Sequence, residues 1–380
     1  MQMNEAPRSR RDARIDVVRS LALLTIFINH IPGTVFEHLT LKNYGFADAA
    51  EVFVLVSGMA VGLAYGPRLA AGVRLLPTLR MWKRAGVLYC AHIMTTVATL
   101  TIFCGAAILA SRPDLLRLNN IHTLFDDPEK AFVGIGLLGH QLGYNNILSM
   151  YAILMLAAPL MLLALLRWFW PTLLVSGAIW LAAGLWQIAP PNYPTPGFWF
   201  LNPLSWQFLF AIGIAGVLHA RRGGRIPAWL TPLSALYLIG ALILVYSPAW
   251  GHERWFGLPA VIGGFDKTFL SLSRLLDILA LACLVANSRW LTRLSESALG
   301  RGLALLGRHS LPVFITGTIL AMIGQALRAV LIPSFPLDCL LIGGGIALQF
   351  LLVIYLEWLA RQGRQPRPAP AIPSAAVAAG

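Results

Sequence analysis

Long apolar stretches separated by short polar and basic breaks recur along this chain. A helix needs about 20 predominantly apolar residues to cross the hydrocarbon core of a bilayer. Ten stretches approach that requirement, at 16–35, 47–66, 85–110, 145–166, 171–189, 203–220, 229–247, 268–287, 308–330 and 337–359. They predict an all-α, polytopic membrane bundle of about ten transmembrane helices. A shorter apolar piece at 132–142 is too brief to span and reads as a re-entrant or interfacial segment. No internal repeat and no separate soluble domain is visible. The chain divides into a basic N-terminal segment (1–15), one membrane domain (16–360) and a Pro-, Ala- and Arg-rich tail (361–380) of the composition that stays disordered. The basic start and the run from Leu21 to Ile28 imitate a secretory signal. However, Asn29-His30-Ile31-Pro32-Gly33 follows where a small-residue cleavage site would be, so a retained first span is expected.

Composition agrees with lipid as the solvent. Of 380 residues, 57% are hydrophobic and only 12% charged, whereas soluble domains carry about a quarter charged residues. The mean hydropathy is +0.70. A net charge of +13 would suit nucleic acid, but the basic residues are scattered between apolar runs, which excludes that partner and fits the positive-inside rule. With the N-terminus cytoplasmic, 20 basic residues fall in inside loops and 6 in outside loops, leaving Arg19, Arg274 and Arg328 within spans. An even number of spans returns the C-terminus to the cytoplasm. Cys90, Cys104, Cys283 and Cys339 lie in or beside apolar runs without metal-ligand spacing and read as packing residues.

A charge inside a membrane is costly, so the ionisable residues within spans are the candidates for chemistry. In the first span Asp16, Arg19, Leu23, Ile26 and His30 are spaced 3, 4, 3 and 4 and share one helix face. Arg19 and His30 are eleven residues apart, roughly 16 Å of helical rise. Pro32 and Gly33 then break the helix. The second span opens on Asp48 and Glu51, at the depth of His30. Either could orient the imidazole, while Asp48 also suits a helix N-cap. Ser57, Gly58 and Gly62 follow as a small-residue packing surface. In the eighth span Lys267, Leu270, Arg274 and Asp277 keep the same spacing, and Arg274 and Asp277 either neutralise each other or leave Arg274 for an anion. Asn202, Trp206 and Gln207 open the sixth span, and Arg308 and His309 the ninth. The outside loops are rich in aromatics, Trp250, Trp255 and Phe256 among them, which suit an interfacial belt or stacking on sugar rings. No phosphate-cradling Gly loop, Gly-x-Ser-x-Gly elbow or zinc spacing is present.

The stretch from Arg14-Ile15-Asp16-Val17-Val18-Arg19 to Ile28-Asn29-His30-Ile31-Pro32-Gly33, followed by Asn43-Tyr44-Gly45-Phe46-Ala47-Asp48-Ala49-Ala50-Glu51 and Ser57-Gly58, resembles the OpgC-type family. That family is named for succinyl modification of osmoregulated periplasmic glucans and is similar to a branch of the wider membrane acyltransferase superfamily, which typically has ten core helices. Asn202-Pro203-Leu204-Ser205-Trp206-Gln207, Asp266-Lys267-Thr268, Arg274-Leu275-Leu276 and Leu306-Gly307-Arg308-His309-Ser310 extend the resemblance over nearly the whole chain except both tails. The superfamily's paired Arg and His of the first helix map onto Arg19 and His30.

The resemblance implies an O-acyltransferase in the bacterial inner membrane that moves an acyl group from cytoplasmic acyl-CoA, succinyl-CoA included, to hydroxyls of a periplasmic or envelope glycan, with no permanently bound cofactor. His30 would serve as general base, with Glu51 or Asp48 orienting it. Arg19 and Asp16 would face the donor, Arg274 a succinyl carboxylate, and Lys267, Asp277, Asn202 and Gln207 would complete the substrate site. Two other readings use the same residues: a transporter with an intramembrane proton relay, and an assembly protein without catalysis.

Overall fold

In a computed structural model, residues 12–250 and 257–362 are described. Arg8, Arg10 and Arg11, the loop residues His252, Glu253, Trp255 and Phe256, and residues 363–380 of the tail lie outside the described residues. Among the described residues the secondary structure is helical, apart from an isolated pairing of Pro191 with Phe198.

Helices occupy all ten predicted stretches. They are α1 (Ala13–Asn29), α2 (Ala49–Ala70), α3 (Leu75–Leu109), α4 (Asn146–Arg167), α5 (Phe169–Leu185), α6 (Pro203–Arg221), α7 (Leu230–Val245), α8 (Leu272–Asn287), α9 (Ser310–Val330) and α10 (Phe335–Gln362). Six of them, namely α2, α3, α4, α6, α9 and α10, are long and apolar enough to cross a membrane. A seventh qualifies if α8 and the following Arg289–Glu296, bent by 67°, form one broken span. Helices α5 and α7 are apolar but shorter, and α1 has 17 residues with Asp16 and Arg19 among them.

The boundaries differ from the apolar windows for local reasons. Helix α1 ends at Asn29 because the chain turns at Gly33, whose φ of +81° lies in the left-handed region. Helix α3 starts ten residues before its apolar window, carrying Arg80, Lys83 and Arg84 on helical backbone. Helix α8 starts only at Leu272, since the Asp266 side chain accepts the Phe269 N–H at 2.8 Å and its carbonyl accepts the Ser271 N–H, folding 266–271 into a turn. Lys267 therefore sits before α8 rather than on its face. Helix α10 runs two residues into the tail predicted as disordered. Of the apolar piece at 132–142, residues 132–136 end a short helix, Pro128–Gly136, held to α3 by the Tyr89 hydroxyl donating to the Gly136 carbonyl at 2.8 Å, and the rest follows it as non-helical chain.

The centre of the bundle is the α2–α6 contact. A Cβ on Gly58 would lie 2.2 Å from the Phe210 carbonyl oxygen, and one on Gly213 would lie 2.3 Å from the Leu55 carbonyl oxygen. The two backbones touch, as small residues permit in membrane packing. Helix α1 makes a similar approach to the short helix Ala298–Arg308, where a Cβ on Gly307 would meet the Asp16 carbonyl at 1.9 Å. Helix α1 also packs on α2 and α9, and α3 packs on α4 and α9. Asp16, Arg19 and Ser20 of α1 are thereby buried in protein.

Candidate active site

The two ends of α1 carry different chemistry. Near its start, Asp16 and Arg19 are buried and paired at 3.2 Å, as their i, i+3 spacing predicts. Arg308 approaches the same carboxylate at 4.0 Å from the end of the helix that Gly307 seats on α1. Arg19, Arg84 and Arg308 line a cavity of about 430 Å³ together with Ser57, Tyr65 and Tyr151. Among the described residues the cavity lining contains no acid. Another depression, of about 490 Å³, lies against α3 beside the Pro128–Gly136 helix. Its lining, including Tyr89, Cys90 and Phe132, holds no ionised side chain and stands apart from the charged clusters.

At the other end, His30 caps α1 and is half-buried. Tyr144 packs on its ring with centroids 4.5 Å apart. Gln325 of α9 donates to its backbone carbonyl at 2.6 Å, and Asn119 donates to Gln325 at 3.0 Å. The turn after His30 is fastened by Arg328, which pairs with Asp338 and donates to the Gly33 carbonyl at 2.8 Å, while Asp338 accepts the Val35 N–H at 3.0 Å. The position of His30 is thus fixed by three elements outside its own helix. Its Nδ1 is buried and makes no hydrogen bond. In the same turn Lys42 pairs with Glu37, which also accepts the Gly33 N–H at 2.6 Å. Burial opposes the Glu37 charge, but these donors win and hold its carboxyl below the ordinary range.

Beside His30 lies a four-residue ion network. Asp48 and Glu51 form a reciprocal capping box at the start of α2, with Asp48 accepting the Ala50 N–H at 2.7 Å and Glu51 accepting the Asp48 N–H at 2.9 Å. Arg274 of α8 binds Glu51 at 2.7 Å and Asp48 at 3.4 Å, and Lys267 pairs with Asp48.

This corrects two expectations. Neither carboxylate hydrogen-bonds the imidazole, because both are committed to the capping box and to the two cations. Arg274 and Asp277 do not neutralise each other either: Asp277 accepts the Ala47 N–H at 3.1 Å and packs against Gly45, where a Cβ would lie 2.8 Å from its oxygen. Both acids and both cations help fasten α8 to the start of α2.

Two further residues are spent on the scaffold. Asn202 caps α6 by accepting the Leu204 N–H at 3.0 Å and donates to the Ile188 carbonyl at 2.8 Å. Gln207 accepts from the Ser176 hydroxyl at 2.6 Å and donates to the Ser176 carbonyl at 2.8 Å, clamping α5 to α6. Polar groups in lipid must be satisfied internally, and these two have partners within the chain. His309, which opens the ninth span, pairs with Glu357 of α10 at 2.9 Å.

Sequence reasoning missed Tyr144 and Gln325, which carry no charge and sit at span edges. It read Arg84 as a marker of orientation, and Arg308 both as such a marker and as a polar residue opening the ninth span. The signal for Arg84 was its spacing from Leu88 on α3, since both line the cavity.

Comparison with known proteins gives one family. The family model described as OpgC protein matches residues 11–361, nearly the whole chain. A search of curated proteins finds no match.

Proposed function

The chain belongs to the OpgC family, and from that premise we propose that it is a membrane-embedded O-acyltransferase moving an acyl group, succinyl in the first instance, from cytoplasmic acyl-CoA to hydroxyls of an extracytoplasmic glycan. Family membership carries the general class, membrane-associated glucan modification by acyl transfer. The observation that supports the finer reading is the construction of α1, which links an arginine-lined cavity at Arg19 to a held imidazole at His30. Arginine suits phosphate and pyrophosphate because its planar fork donates in pairs and stays charged.

In this reading both termini are cytoplasmic and the protein sits in the bacterial inner membrane, with residues 16–360 as one catalytic membrane domain between the basic segment 1–15 and the tail 361–380. All ten helices cross. The shorter ones, of 16 or 17 residues, rise only about 25 Å and cross with the help of flanking non-helical residues buried in protein, such as Ile31 and Phe269, Leu270 and Ser271. The Arg19 cavity faces the cytoplasmic donor and His30 the external acceptor.

His30 takes the proton of the acceptor hydroxyl as that oxygen attacks the thioester carbonyl. The C–O bond forms, the C–S bond breaks, and the proton passes to the leaving sulfur to give the CoA thiol. Asp48, Glu51, Lys267 and Arg274 act through the local field and the anchoring of α8. Mass spectrometry of envelope glycans tests the reading: acyl additions appear with the chain and disappear on its deletion. Identical glycans in both strains would sink it.

A further inference from the structure

We propose that a buried polar stripe formed by His92 and Thr96 of α3 with Asn145 before α4 seats the amide-bearing thioester arm of the donor between the Arg19 cavity and His30. The inference rests on the acyl-CoA reading above. Arg84, Leu88, His92, Thr96 and Thr99 are spaced 4, 4, 4 and 3 along α3 and share one face. Arg84 and Leu88 line the arginine cavity. His92 stands one turn beyond Leu88, roughly 12 Å of rise from Arg84. On the facing α4, Tyr151 and Leu148 line the same cavity. Asn145 stands one turn beyond them, next to Tyr144, which packs on His30. The stripe thus occupies the stretch between the two ends of the site.

Its side chains have no solvent exposure: His92, Thr96 and Asn145 are each at 0%. The neighbouring threonines satisfy themselves, Thr95 on the Ala91 carbonyl at 3.0 Å and Thr99 on the Thr95 carbonyl at 2.8 Å. Three atoms do not: His92 Nε2, Thr96 Oγ1 and Asn145 Oδ1 make no hydrogen bond among the described residues. Buried polar atoms are matched in the great majority of folded structures, so three unmatched ones within about a turn point to a polar ligand.

Their chemistry narrows its class. His92 Nδ1 lies 3.3 Å from the Asn145 carbonyl oxygen. That oxygen only accepts, so Nδ1 carries the proton and Nε2 presents a lone pair. The stripe therefore offers two acceptors, Nε2 and Oδ1, and one hydroxyl donor. Secondary amides supply the complement, an N–H for the acceptors and a carbonyl for the hydroxyl. The pantetheine arm of CoA carries two such amides. A plain hydrocarbon chain would leave all three atoms unmatched.

The test compares binding of CoA with that of adenosine 3′,5′-bisphosphate, which lacks the arm, to the full chain in nanodiscs. His92→Leu and Thr96→Val are each expected to weaken CoA binding about tenfold, the cost of one lost buried hydrogen bond. Both should leave bisphosphate binding unchanged, which also reports that the fold is intact. His92→Gln, which returns an acceptor near the position of Nε2, is expected to restore most of the CoA affinity. Variants that bind CoA as the unsubstituted chain does, or that lose both ligands equally, overturn the inference and leave the donor reading standing. An unsubstituted chain that binds neither ligand overturns the donor reading, and the inference with it.

Discussion

The Arg19 end and the His30 end of the site are both charged, but the charges balance at the His30 end and not in the cavity at the Arg19 end. Around His30, two carboxylates meet two cations, and the four side chains use one another and the α2 backbone as partners. Around Arg19, three arginines line one cavity whose walls contain no acid among the described residues, with Asp16 set beside it. A matched buried network is self-contained and fixes which elements meet, contributing register more than stability. An excess of one sign facing a cavity is an arrangement that an anion completes. The first region reads as a fastening and the second as a seat.

The comparison can be broken by removing one cation from each region. Arg274→Ala leaves Glu51 and Asp48 buried with Lys267 as the remaining cation, so a loss of about 3–5 kcal/mol of stability is expected, measured by thermal or denaturant unfolding in detergent. An unchanged midpoint would mean that the network fastens nothing. Arg84→Ala is expected to do the reverse. It should change stability by less than about 1 kcal/mol while weakening CoA binding about tenfold or more, since charge-assisted bonds are the stronger class. Intact affinity in Arg84→Ala would remove the cavity from the donor site.

Asn202→Ala sharpens the line between scaffold and site. The loss of an N-cap costs about 1 kcal/mol, and donor affinity should not move. A selective loss of affinity would return Asn202 to the binding site.

The smallest effect expected is at Glu37. Its carboxyl is held below the unfolded value of 4.5, so the stability it contributes is full above that pH and is lost as pH falls through its lower folded value. Glu37→Gln should remove at most about 1 kcal/mol near neutrality and flatten the acid limb of a stability-against-pH curve. An unaltered acid limb would show that the Lys42–Glu37 pair carries no pH dependence.

The positions of the ten helices were legible in the sequence because lipid imposes a simple rule on apolar length. Their ends were not, because the Gly33 turn, the Asp266 turn and the basic first turns of α3 depend on local hydrogen bonds and φ angles that hydropathy ignores. The Asp16–Arg19 pair was legible because it lies within one helix. The partners of Arg274 were not: they lie 223 and 226 residues away, and the competing local partner Asp277 was drawn to the Ala47 backbone instead. The scaffold partners of Asn202 and Gln207 were illegible for a related reason. A polar residue at the opening of a span looks the same in sequence whether it caps a helix, clamps a neighbour or binds a substrate. Arg84 was hidden by the opposite effect, since basic residues at span ends are already explained by orientation.

The central claim is that His30 performs acyl transfer on a donor held at the Arg19 end. It is tested most directly by comparing the full chain with His30→Ala in sealed proteoliposomes, with labelled succinyl-CoA on the Arg19 side and an oligoglucan acceptor on the other. The account predicts labelled glucan from the unsubstituted chain. It predicts about 100- to 10,000-fold less from His30→Ala, with CoA binding retained. Labelled product at the normal rate from a correctly inserted His30→Ala protein would contradict it.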